Sequence, residues 1–218
     1  MSISAEEKVC YLREAAIVLA KEGFQLDEVH TDKLRVLLDG APLCEVTENG
    51  GITYRNEDIN ELERVAAKDM VYEIVRNTAE YMRQMETAPF LKADGLEDGY
   101  KVLAVFNGTV LAGVQSKHGV HFVTWDWAYG HTGVCHGHYF MENYAGAKQD
   151  FAIRSGLIQK ERLFTPEQMT EIYRCCADSV DGDFFELTGE QEKMIRSVQQ
   201  QIEAVSYTHL RAHETGRN

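Results

Sequence analysis

Asn107-Gly108, set between KVLAVF and TVLAGV, constrains this chain more than any other feature. An Asn-Gly pair between two apolar runs supplies the two positive φ angles that a tight antiparallel hairpin demands. Asp39-Gly40 between LRVLL and APLCEV repeats the signal, and Asn49-Gly50-Gly51 repeats it before ITYR. Consecutive strands joined by such turns pair antiparallel, whereas a parallel sheet needs long crossovers between its strands. The expected fold class is therefore α+β, with antiparallel β-meanders packed against helices.

Helix signals surround these hairpins. Ser4 with Glu7 fits a capping box, Val9, Leu12, Ala16 and Leu19 recur at helical spacing, and Gly23 supplies a left-handed stop. Asp58 with Glu61 opens a long central helix running to about residue 86. At 1.5 Å per residue it spans about 40 Å, so it either lies along both halves of the chain or breaks near Asn77-Thr78. Residues 142–155 read as a third helix closed by Gly156. Thr165-Pro166-Glu167-Gln168 starts a fourth, and Thr188 with Gln191 starts a fifth whose stripe is Met194, Ile195, Val198 and Ile202. The stretch TAPFLKADGLEDG at 87–99 mixes proline, glycine and acids. It is the expected boundary between an N-terminal αβββα module at 1–88 and a C-terminal β-meander plus helices at 99–204.

Composition narrows the function classes. With 218 residues and 44% hydrophobic content the chain can bury a core, yet no run of about 18 apolar residues is present to cross a bilayer. The opening MSISAEEK lacks the basic start and apolar stretch of a secretion signal, so a cytoplasmic location is expected. Cys10, Cys44, Cys135, Cys175 and Cys176 are odd in number and form no CxxC, which points to reduced thiols. The formal net charge of -13 repels phosphate backbones, and direct nucleic-acid binding is disfavoured.

The densest group of potential ligands is His118, His121, His131, Cys135, His136 and His138. His136 and His138 share a strand face by period two, and an antiparallel neighbour could bring His121 alongside to give three imidazoles for zinc or iron. Against this, the spacing matches no standard zinc pattern, and Gly130, Gly133 and Gly137 loosen the loop. No cofactor is expected, and the histidines read as polar residues of hairpin loops. Trp125 and Trp127 share one strand face with Val123 and Tyr129, either as a binding surface or, by the commoner use of such pairs, as core covering helices. Cys175 and Cys176 diverge by about 100° on a helix, one buried and one partly exposed. Arg154, Lys160 and Arg162 read as surface charge, and the acids from Asp178 to Glu192 as a solvated connector or as part of a DNA-like surface.

VLLDGAPLCEV with GGITYR, then DGYKVLAVFNGTVLAG, HFVTWDWAYGHTGVCHGHYF, NYAGAKQDFAIRSGLI and LFTPEQMTEIYRCC, resemble uncharacterised accessory proteins carried on conjugative elements of gut Firmicutes, in the style of the large polyvalent protein-associated domains. The resemblance spans most of residues 30–205, contains no catalytic motif, and implies a bacterial mobile genetic element and a cytoplasmic setting. It supplies no functional residue. The leading expectation is a non-enzymatic accessory or interaction protein with an unknown protein partner and an exposed apolar patch. The alternatives are an acidic DNA mimic acting against host defence and a metal-dependent enzyme using the histidine group.

Residues 205–215, VSYTHLRAHET, resemble one reading frame of a transposase-end adaptor used in short-read sequencing libraries. Residues 205–218 are accordingly expected to be an artefactual tail, with the natural chain continuing differently after Ala204. Omitting Arg211, Arg217 and Glu214 leaves 20 basic against 34 acidic residues, or -14.

Overall fold

The computed structural model describes residues 5–27, 33–97, 99–182 and 187–214, with side chains for all of these except 5–9, 162 and 205–214. The chain divides into two compact units, residues 1–158 and 159–218. In the first, α1 (Ala5–Lys21) leads into β1 (Gln25–Leu26), β2 (Lys33–Leu38), β3 (Ala41–Thr47) and β4 (Ile52–Thr53). These four strands form one antiparallel sheet in chain order. A 3-10 turn at Asn56–Ile59 precedes α2 (Leu62–Thr87). The second sheet follows, with β5 (Lys101–Phe106), β6 (Thr109–Ser116), β7 (Gly119–Ala128) and β8 (Gly133–Met141), again antiparallel in chain order. It is followed by α3 (Tyr144–Arg154). The second unit contains α4 (Pro166–Asp181) and α5 (Gly189–Glu214). This is the expected α+β arrangement of antiparallel sheets and helices, with α2 as the long central helix. No helix among the described residues is long and apolar enough to cross a membrane.

The turns form for the reason their residues suggest. Asp39 and Gly40 take φ of 52° and 78°, and Asn107 and Gly108 take 45° and 80°, the paired positive values of a tight hairpin. Thr165 with Gln168 makes a complete capping box, and Thr188 with Gln191 makes the same reciprocal pair of bonds. Two other starts differ from expectation. The Asp58 signal falls in the 3-10 turn, and α2 starts only at Leu62; Arg64 of α2 donates to the Asp58 and Pro42 carbonyls, so the Asp58 carbonyl is met by a side chain. At α3 the cap is Asn143, which accepts from Gly146 N–H at 2.8 Å, while Glu142 is drawn to Lys21 and His121. The Ser4–Glu7 pair lies outside the described side chains, as do Asp183 and Glu186 of the acidic run.

Helix α2 runs unbroken through Asn77-Thr78 and serves two cores. Val71 and Val75 pack with Leu12, Leu19, Leu34 and Leu43, whereas Tyr81 and Met85 pack with Phe122, Tyr144 and Phe151. The two sheets expected in separate modules thus share one helix, and residues 87–99 lie inside the first compact unit. Residues 88–97 form a strap over the outer face of the second sheet. Leu91 N–H donates to Tyr100 O at 2.7 Å and Asp94 N–H to Thr132 O at 2.7 Å, and Leu91 and Leu96 pack on Val110, Ala112, Val123 and Trp125. Because helices cover one face and the strap the other, the central strands β6 and β7 are buried on both sides.

The backbone of α5 continues through the adaptor-like string to Glu214, and residues 215–218 lie outside the described residues. Nothing in YTHLRAHE breaks a helix, so local propensity extends the preceding turns. The last buried side chain described in α5 is Ile202. Truncation after Ala204 is accordingly expected to leave the melting temperature unchanged within about 1 °C, read by circular dichroism. A clear drop would show that the tail packs.

Candidate functional site

The candidate histidines lie on the second sheet, but its register separates them. His121 pairs with Val114 on β6, and His138 pairs with Thr124 on β7. β8 carries two one-residue bulges, one where Phe122 faces Met141 but Val123 faces Tyr139, and a second where Thr124 faces His138 but Asp126 faces Cys135. His136 sits in the second bulge at φ 50°, away from regular alternation. Each imidazole then finds its own carboxylate. His121 Nε2 lies 3.3 Å from Glu142, His136 Nδ1 3.4 Å from Asp126, and His138 Nδ1 3.0 Å from Asp150. His121, His136 and His138 do not converge, and among the described residues no group of three or more His, Cys, Asp or Glu side chains could hold a metal ion. His131 instead stacks on Trp127 at 5.2 Å.

Two of these pairs imitate catalytic triads. Cys135 Sγ lies 3.5 Å from His136, and Ser116 Oγ 3.3 Å from His121, so Cys-His-Asp and Ser-His-Glu sets are both present. In each set the nucleophile and the carboxylate meet the same ring nitrogen, Nδ1 of His136 and Nε2 of His121. A working triad uses opposite nitrogens, one taking the proton and the other being held by the acid. Ser116 is also committed to its turn, donating to Gly119 O at 2.8 Å and accepting from His118 N–H at 3.0 Å.

Arg154 organises the polar face between β7 and α3. Its side chain is only 12% exposed. Nη2 meets Asp126 at 2.7 Å, and Nη1 donates to Thr124 O at 3.1 Å and to Thr124 Oγ1 at 2.9 Å. Thr124 Oγ1 in turn donates to Asp150, one helical turn before Arg154. The chain His138–Asp150–Thr124–Arg154–Asp126–His136 is therefore a clamp that fastens α3 to the sheet. By sequence, Arg154 reads as surface charge; its burial in this clamp corrects that expectation. The available signal was Asp150 and Arg154 at i,i+4, which places both on one helix face.

Burial pushes the Asp126 carboxyl up, but the hydrogen bond and charge of Arg154, helped by His136 and Thr109, outweigh it and hold the group below its ordinary range. A carboxylate depressed in the folded state contributes stability above its unfolded value of about 3.9, and that contribution is lost as pH falls through the folded value. Arg154→Met is expected to lower stability at neutral pH. The gap between variant and wild type is expected to shrink as pH drops below about 4, measured by urea unfolding across pH. A gap constant with pH would mean that Arg154 acts by packing alone.

The tryptophans separate in role. Trp125 is 3% exposed, packed edge-on by Tyr100 at 4.9 Å and by Tyr139 at 6.1 Å, so it offers no interaction surface. It is core as the commoner use of such pairs suggests, but it lies under the strap rather than against helices, because its strand face points away from α2 and α3. Trp127 is half-buried beside it. All five cysteines are free. Cys44 is buried, and burial pushes its thiol up to about 12, which makes it inert. Contrary to expectation, neither Cys175 nor Cys176 is buried, because the groove between α4 and α5 is open. That groove, of about 480 Å³, is lined by Phe164, Ile172, Cys175, Cys176 and Ile195. Phe164 is 56% and Met194 71% exposed, and α4 contains no buried residue. The sequence stripe of α4 is apolar at Met169, Ile172, Tyr173 and Cys176, but only the tertiary structure shows how much of it stays open.

No family model, curated protein or solved structure matches the chain.

Proposed function

We propose that the protein is a non-enzymatic accessory protein of a bacterial mobile genetic element, acting in the cytoplasm by docking a protein partner in the groove between α4 and α5. The observation that carries this reading is the exposed apolar lining of that groove. A helix stripe that stays wet costs solvation free energy unless something covers it, and contiguous apolar surface of this kind marks interaction sites. The separate placement of His121, His136 and His138, each against a different carboxylate, supports a non-catalytic role. The resemblance of residues 30–205 to accessory proteins of conjugative elements supports the genomic setting.

Tag-free protein and an Ile172→Asp, Ile195→Asp double variant are compared as baits in cells that carry the element. The wild type is expected to retain a partner that the variant loses, with affinity changing less than about threefold between low and high salt. A partner held equally by both proteins would dismiss the groove. A drop of about a hundredfold with salt, together with protection of plasmid DNA from restriction, would favour the acidic DNA mimic instead.

A further inference from the structure

We infer that a second cleft, between α1, α2 and the start of β5, is a binding site for a neutral, mainly apolar small molecule. The cleft measures about 600 Å³, within the range of about 300–1,000 Å³ that small-molecule sites occupy. Five parts of the first unit enclose it: Cys10 and Tyr11 of α1, the turn at 48–50, the last turns of α2, Phe90 and Gly99, and the sheet residues Lys101 and Gln115. Concavity on several sides suits a compact molecule better than a flat protein face.

The lining is rigid at one end and adaptable at the other. Tyr11 is buried and its hydroxyl donates to Val75 O at 3.4 Å. The turn at Gly50 lies directly against α2, where an added Cβ would stand 3.0 Å from Ala79 Cβ, so that end is closed. Met82 and Met85 supply thioether side chains that adjust to a ligand's shape. Phe90, at the mouth, is 62% exposed, a large aromatic surface that an occupant would cover.

The charged groups at the rim do not select a head group. Glu48 and Glu86 balance Arg83 and Lys101, although the whole chain carries -13. Both cations are anchored on α2. Lys101 Nζ donates to the Met85 and Glu86 carbonyls and stands 5.4 Å over the Phe90 ring, and Arg83 Nε donates to Ala79 O at 3.0 Å. Binding free energy in such a site comes from apolar contact, which is why the ligand class is neutral.

The test uses the tag-free full chain and Nile red, a neutral apolar dye. Titration is expected to show one saturable site with blue-shifted emission. Bound dye is expected to slow alkylation of Cys10 by iodoacetamide about fivefold or more and to leave Cys175 unaffected, read at each site by peptide mass spectrometry; this separates the cleft from the α4–α5 groove. Met82→Glu is expected to weaken dye binding about tenfold or more, because it places a carboxylate in the wall. Cys10→Trp, which fills the exposed mouth, is expected to do the same should Met82→Glu fail to fold. Unsaturable binding, protection of Cys175 in place of Cys10, or a sulfonated dye binding about tenfold tighter than Nile red would each overturn the inference. The partner-docking reading rests on the other unit and survives any of these results.

Discussion

Glu14→Ala is expected to lower the unfolding free energy by about 3–5 kcal/mol, the largest effect of any single charged-residue change in the first unit. Glu14 is 3% exposed, on the face of α1 that meets the second sheet. Its Oε1 accepts from Val120 N–H at 2.7 Å and from Tyr81 O–H at 3.0 Å, and its Oε2 accepts from Gln115 Nε2 at 3.4 Å. One carboxylate thereby ties α1 to α2 and to both β6 and β7. Removing it leaves a buried backbone N–H and a buried hydroxyl without an acceptor, and it opens a void where the side chain stood. Each orphaned buried donor costs about 1–3 kcal/mol. Gly119 is held to the same contact, since an added Cβ there would stand 3.0 Å from Glu14 Oε1 at a φ of +107°. Urea unfolding of the variant is expected to show a lower midpoint at unchanged slope. A loss below about 1 kcal/mol would mean that water reaches the donors.

Gly137→Ala is expected to cost about 2–3 kcal/mol and to disturb Trp125. A Cβ at position 137 would lie 2.5 Å from Trp125 Nε1, 3.0 Å from its Cδ1 and 3.1 Å from Tyr139 Cε2. The indole cannot step aside, because Tyr100 holds it edge-on under the strap. The bulge would have to shift instead, and His136 beside it already occupies the left-handed region. In a Trp127→Phe background, which leaves Trp125 as the only indole, emission is expected to be blue in the parent and red-shifted in the Gly137→Ala variant. Unchanged stability with unchanged emission would show that β8 relaxes freely as an edge strand.

Features that depend on residues within about four positions of each other were legible. Asn107-Gly108 and Asp39-Gly40 build their hairpins because the required φ angles belong to those residues themselves. The boxes at Thr165 and Thr188 form because cap and partner are three residues apart. Residues 87–99 were harder. Their proline, glycine and acids read as a linker, and the contrary signal, Phe90, Leu91 and Leu96, is too sparse to have a period. Two bulged positions in β8 keep the histidines off a common face, since each shift of one position turns a side chain from one face to the other.

The amino-acid sequence alone determined the α+β class, the antiparallel pairing within both sheets and the presence of a long central helix, because turn chemistry, capping and apolar period act within a few bonds of the residues concerned. That the helix starts at Leu62 and runs unbroken through Asn77-Thr78 was decided by the tertiary structure. The tertiary structure decided that one helix serves two cores, that the strap buries Trp125, that Arg154 is clamped between two aspartates, and that Glu14 meets Val120 across 106 positions of chain. Each of these depends on groups brought together only after folding has closed long loops. The short-range pattern contains no information on which distant donor a given carboxylate will meet.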